Sequence, residues 1–209
     1  MIDWLKNEWI ALASNYSSDK DLIYNYWEDI ISQYSKKSRY YHNLEHIHNM
    51  LVQLETIKDE IANLPELKFA IWYHDIIYKS TKKDNEEKSA AFAKNRLKSF
   101  SFNINSIKKV EELILSTKKH NVILNQNQDN AYLLDLDLSI LGSNWETYKN
   151  YTQQIRKEYK IYPDFMYKSG RKKVLKHFLE RDNLYFTKTY KIQFENKARE
   201  NIKRELETL

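Results

Sequence analysis

The sequence predicts one all-α domain, a helical bundle with a C-terminal helical extension. Three observations carry that reading. Only 2 Gly and 2 Pro occur among 209 residues, too few for the tight turns that a strand-rich chain of this length needs. Apolar residues recur at three- and four-residue intervals along most of the chain, the spacing of one helix face. The polar stretches between them are short, and none is long enough to separate two domains.

The elements follow in order. Helices are expected over about residues 2–15 and 20–34. A polar break runs from Ser35 to Arg39, and a third helix from near Asn43 to Ile61. Pro65 stands where a first-turn proline belongs and opens a fourth helix through Tyr78. Asp84 with Glu87 three residues on reads as a capping box for a fifth. A sixth covers about 104–119. After a polar loop, Asn125 to Asn130, a helix over about 131–141 ends on Gly142 as its C-terminal cap. Ser143 with Glu146 is a second capping-box pattern, starting a helix to about Tyr159. Pro163 opens another to about Glu180, and the last covers about 190–208.

One segment competes with this pattern. LLDLDLSI, residues 133–140, alternates like a half-buried strand. An isolated strand would leave its backbone groups unpaired, so helix is preferred. As a helix, Asp137 belongs to two apolar stripes: Leu133, Leu136 and Ile140 on one, Leu134, Leu138 and Leu141 on the other. Asp137 therefore points inward, and Asp135 lies to the side.

Composition narrows the function classes. The absence of Cys excludes disulfides and thiolate metal sites, and fits a reducing, cytoplasmic setting. The first residues carry Asp3 and Glu8 and hold no long apolar run, so neither a signal peptide nor a membrane span is expected there. A net charge of +5 would attract phosphate-bearing ligands. No arginine-rich run or nucleic-acid motif is present, which argues against a nucleic-acid partner.

Two motifs carry chemistry. In FAIWYHDIIY, residues 69–78, the pair His74–Asp75 interrupts an apolar run. An ionised carboxylate buried without a partner costs several kcal/mol or more, so something must compensate it. A divalent metal ligated by imidazole and carboxylate would do so; a core histidine with a lysine or arginine counter-ion is the competing explanation. In YHNLEHIH, residues 41–48, His42 and His46 are four apart and share a helix face if the helix has begun by then. With Asp137 these residues form the pattern H…HD…D, with 28 residues from His46 to His74 and 62 from Asp75 to Asp137. Inward-pointing groups on three helices can converge on one ion in a bundle core.

That pattern resembles the HD superfamily of metal-dependent phosphohydrolases. YHNLEHI also resembles the YHNxxHA motif of cyclic nucleotide phosphodiesterases. The wider resemblance is to a compact, uncharacterised HD group, through RYYHNLEHI, WYHDIIY, DNEEKSA, LDLDLSILG, YKSGRKKVL and ENKARENIKREL, over about residues 35–209. It implies a single HD-domain-like bundle over 1–209, with a metal-binding core at about 35–145 and C-terminal helices at about 146–209. It further implies metal ligands His46, His74, Asp75 and Asp137, with His42 as proton donor. Full two-metal members carry two more histidines before the last Asp; this chain has His120 alone. One divalent ion (Mn, Ni, Co, Fe, Zn or Mg) is therefore expected.

The activity this implies is hydrolysis of a phosphate ester, of a nucleotide or a small phosphorylated metabolite, by a water that the ion has made a hydroxide. His42 would protonate the leaving oxygen, and Asp75 would both ligate and orient. Glu86 is a weaker candidate for a base or a partner of a ligating histidine. Arg171, then Arg156, Lys118 and His120, are candidates for holding the phosphate. Asp135 is the runner-up for the last ligand. The alternative is a catalytically silent domain that binds a metal or nucleotide. The amphipathic last helix could close the domain or form a homodimer.

Overall fold

Ten α-helices and no strand make up the chain in a computed structural model describing residues 1–209. They are α1 (Ile2–Ala13), α2 (Lys20–Tyr34), α3 (Leu44–Ile57), α4 (Leu64–Tyr73), α5 (Asn85–Leu97), α6 (Ile104–Thr117), α7 (Asp129–Leu138), α8 (Trp145–Glu158), α9 (Asp164–Leu179) and α10 (Lys188–Thr208). The alternating LLDLDLSI segment is helical. It is the end of α7, continued by a 3-10 turn over Ser139–Gly142. No helix is long and apolar enough to cross a membrane.

The core is built around α4. Leu67, Phe69, Ala70, Ile71, Trp72 and Tyr73 have no accessible surface, and α3, α5, α6 and α7 all pack against this helix. Trp9 of α1 meets Phe69, Trp72 and Tyr73 edge-on at 5.8–6.1 Å between ring centres. Its indole N–H donates to the Ile23 carbonyl of α2 at 3.0 Å. Each large apolar side chain buried this way contributes about 1.5–3 kcal/mol.

α4 stops at Tyr73, short of the expected Tyr78. The reason lies in who claims the next carbonyls. The Arg39 guanidinium donates to the carbonyls of Asp75 (2.6 Å) and Ile76 (2.8 Å). Ser89 Oγ takes the Ile77 N–H and donates to the Ile77 carbonyl. The chain therefore turns at His74, and the His–Asp pair sits at the helix end.

Neither expected capping box forms. Asp84 precedes α5, but its side chain accepts no backbone N–H from it; its carboxylate pairs with Lys88, and Glu87 pairs with Lys118. The cap of α8 is Asn144, one residue beyond Ser143, accepting from the Thr147 N–H at 3.0 Å. Gly142 is not a left-handed cap, since no glycine has positive φ. A Cβ there would lie 2.6 Å from Phe194 Cβ and 2.8 Å from the Phe194 carbonyl oxygen. Glycine at 142 lets α10 cross directly over the 3-10 turn.

Candidate metal centre

Four side chains from three parts of the fold meet at the end of α4. His46 lies in the first turn of α3, whose start is fixed by Asn43 accepting from the Glu45 N–H. Its neighbours Leu44, Ile47 and Met50 are buried, and His46 is buried with them. His74 and Asp75 follow α4, and Asp137 comes from α7. His46 Nε2 lies 3.3 Å from His74 Nε2 and 3.2 Å from Asp137 Oδ1. His74 Nε2 lies 3.3 Å from Asp75 Oδ2 and 3.8 Å from Asp137 Oδ1. Two donors bound to one ion at about 2.0–2.2 Å stand roughly 3.0–3.5 Å apart, so most of these separations suit a shared ion.

The donor chemistry fits as well. His74 Nδ1 is 2.9 Å from the Ile71 carbonyl, which can only accept, so Nδ1 carries the proton. The Nε2 lone pair is then free to ligate. It faces the Nε2 of His46 at 3.3 Å, so either His46 Nε2 carries a hydrogen or both nitrogens share a cation. Burial opposes charge on His74, but Asp75 and Asp137 outweigh it and raise its pKa to about 9. Burial keeps His46 below the ordinary imidazole range. Burial would raise both carboxylates, yet the histidines hold Asp75 and Asp137 well below the usual range. Two neutral imidazoles and two carboxylates would balance a divalent cation without residual charge.

Around this cluster lies a set of orienting contacts. His120 Nε2 meets the other oxygen of Asp137 at 3.1 Å. His120 therefore reaches the site by holding Asp137, without facing the two Nε2 atoms. Its backbone is the one non-glycine position with positive φ, 46°, a conformation that costs about 1–2 kcal/mol. Arg181 fixes it there by donating to the His120 and Lys119 carbonyls at 3.1 and 2.8 Å.

His42 precedes α3, so it does not share a helix face with His46. Its ring nevertheless lies 6.2 Å from that of His46, centre to centre. It stacks on Tyr78 at 4.2 Å. Its Nδ1 is 2.6 Å from Glu158 Oε2. Burial works against charge on His42, but Glu158 and Asp75 prevail and raise its pKa. Burial likewise works against the Glu158 charge, and His42 with the surrounding backbone N–H groups lowers that pKa from 4.5 to about 2.

Residue types and spacing assign no site role to Glu158 or Arg39. Glu158 accepts from the backbone N–H groups of Tyr40, Tyr41 and His42 at 2.8–3.0 Å, and from Tyr78 Oη at 3.0 Å. One signal for it exists. It is the last residue of α8, and an acid at a helix C-terminus opposes the helix dipole. Arg39 donates to the His42 carbonyl as well as to Asp75 and Ile76, tying the two motif segments together. Nothing in its local sequence marks it.

The remaining candidates separate clearly. Asp135 is buried away from the cluster, accepting from the Phe186 and Thr187 N–H groups at 2.8 Å and the Thr187 hydroxyl at 2.7 Å. Asp137, not Asp135, joins the histidines. Glu86 is partly buried near Asp75, its pKa raised first by burial, and makes no side-chain hydrogen bond to a ligand. Three cations expected to hold phosphate are committed elsewhere. Arg171 is forked onto Glu205 at 2.8 and 3.0 Å, with Tyr151 Oη at 3.3 Å. Arg156 joins Asp164 to the carbonyls of Tyr159 and Tyr162, fastening α8 to α9. Lys118 pairs with Glu87. Periodicity marked these as cationic helix positions but could not show their partners, which lie on other elements.

A cavity of about 450 Å³ opens beside His42 between α8 and α9, walled by Tyr151, Tyr159, Tyr162, Tyr167 and Arg171. Comparison of the chain with protein families, curated proteins and solved structures gave no match in any of the three.

Proposed function

We propose that this protein is a metal-dependent phosphohydrolase of the HD type, cleaving a phosphate ester of a nucleotide or small phosphorylated metabolite. The observation that carries the reading is the cluster of His46, His74 and Asp75, with Asp137 against both histidines and His74 Nδ1 tied to Ile71. A divalent ion held there would acidify a bound water and polarise a phosphoryl oxygen. The chain's own residues would do the rest. His120 holds Asp137, and Arg39 holds the Asp75 and His42 backbones, so the donor set is fixed before a substrate arrives. His42, whose proton Glu158 favours, would present its free Nε2 as the acid for the leaving oxygen. The tyrosine-walled cavity beside it would take the organic part of the ester.

The test compares esters with good and poor leaving groups. Protein reconstituted with Mn, Ni, Co or Zn should hydrolyse both an aryl phosphate and members of a nucleotide panel. His42→Gln should lower kcat by about 100-fold or more for an alkyl ester and much less for the aryl ester, whose leaving oxygen needs no proton. Metal uptake with no turnover of any ester would instead identify a silent binding domain.

A further inference from the structure

A second cavity adjoins the candidate centre at His120. It is open, about 690 Å³ in volume, and lies between the C-terminal end of α6 and α9. Its charged and titratable lining is Lys118, Lys119, His120, Lys173, His177 and Arg181, and no carboxylate lines it. Lys118 is matched by Glu87. Lys119, Lys173, His177 and Arg181 make no ion pair. Arg181 shows the imbalance most directly. Its pKa is lowered by burial, and its guanidinium bonds to two backbone carbonyls and to no carboxylate.

Two features set this cavity apart from an ordinary solvated basic face. It is joined to the metal cluster, because His120 lines it and also holds Asp137 at 3.1 Å. Its shape depends on the left-handed backbone of His120, which Arg181 fastens from within the cavity wall. Massed cations without counter-charge repel one another, and an anion placed among them relieves that repulsion. The cavity also shares Val174 of α9 with the tyrosine-walled one, so the two flank a single stretch of helix.

We infer that the basic cavity binds further phosphate groups of the substrate, so that the ester carries at least a second phosphate beyond the one to be cleaved. The inference rests on the phosphohydrolase reading for the word substrate, but not for the anion site itself.

The experiment uses the full chain freed of metal by chelation, at fixed ionic strength, titrated calorimetrically with orthophosphate, pyrophosphate and tripolyphosphate. Tripolyphosphate should bind at least about tenfold more tightly than orthophosphate, as charge-assisted contacts accumulate. The Lys119→Gln/Lys173→Gln variant should lose that preference. Lys197→Gln/Lys203→Gln, which removes the same charge from the exposed face of α10, should keep it. Equal binding of the three anions, or equal loss in both double variants, would overturn the inference. Arg181→Gln gives an independent arm, in which the preference should fall while thermal unfolding confirms a folded chain. The preference without any phosphatase activity would sink the hydrolase reading alone; monoester turnover without the preference would sink the anion site alone.

Discussion

The two halves of the molecule each bury a cluster of charged groups, and they treat it in opposite ways. In the C-terminal half, Arg171 meets Glu205 through two bonds, Tyr148 Oη donates to the same carboxylate at 2.5 Å, and Tyr151 Oη meets the guanidinium. Every charge there has a partner in the chain. At the end of α4, two imidazole Nε2 atoms face each other at 3.3 Å between two carboxylates, and only a proton or a cation can reconcile them. A buried charge is therefore no mark of a site in itself. The mark is a set of metal-ligating donor atoms that the protein gathers at one point.

Breaking the satisfied cluster should have the largest effect on stability. Glu205→Ala leaves the Arg171 guanidinium buried and unpaired, and should cost about 3–5 kcal/mol in denaturant unfolding. Metal uptake by the variant at low temperature should be unchanged. A stability loss below about 1 kcal/mol would show that Arg171 reaches water or another partner.

The His42–Glu158 pair should appear next, through pH. The folded Glu158 pKa of about 2 lies below its ordinary 4.5. Its carboxylate thus stabilises the fold above pH 4.5, and that contribution is lost as pH falls toward 2. The folded His42 pKa is raised above its ordinary 6.5. Its contribution is complete below pH 6.5 and is lost as pH rises through the folded value. Glu158→Gln should flatten stability against pH in both windows, as read by thermal unfolding. Curves that stay parallel to wild type would break the pairing.

The smallest stability effect sharpens the comparison within one helix. Asp135→Asn weakens the acceptor of the Phe186 and Thr187 N–H groups, and should cost about 1–2 kcal/mol with metal affinity kept. Asp137→Asn should weaken metal binding by about 10-fold or more with little loss of stability. The reverse pattern in calorimetry would exchange the roles assigned to the two residues.

Much of this was legible from residue types and spacing. Helical periodicity placed all ten helices, because burial on a helix is a local, repeating property. It did not separate the two aspartates by burial: Asp135, expected to lie to the side, is fully buried, and what sets it apart from Asp137 is its pairing with Phe186 and Thr187 on a distant segment. The His74–Asp75 pair stood out for the same reason, as polar groups within an apolar run. What spacing could not show were pairings across elements. Arg39 ends α4 from 36 residues away, and Glu158 reaches His42 across 116. Arg171, expected at a phosphate, is consumed by a glutamate 34 residues later. Gly142 was legible as glycine but not for its purpose, since Phe194 crosses it from α10.

The measurement that bears most directly on the centre is metal stoichiometry and affinity in wild type beside His74→Ala, after chelation and reconstitution with Mn, Ni, Co or Zn. Wild type should take up about one divalent ion per chain and gain several degrees of thermal stability, as binding to the folded state alone requires; His74→Ala should do neither. If wild type binds none of these ions, the facing imidazoles are held by a proton alone and the cluster is core structure.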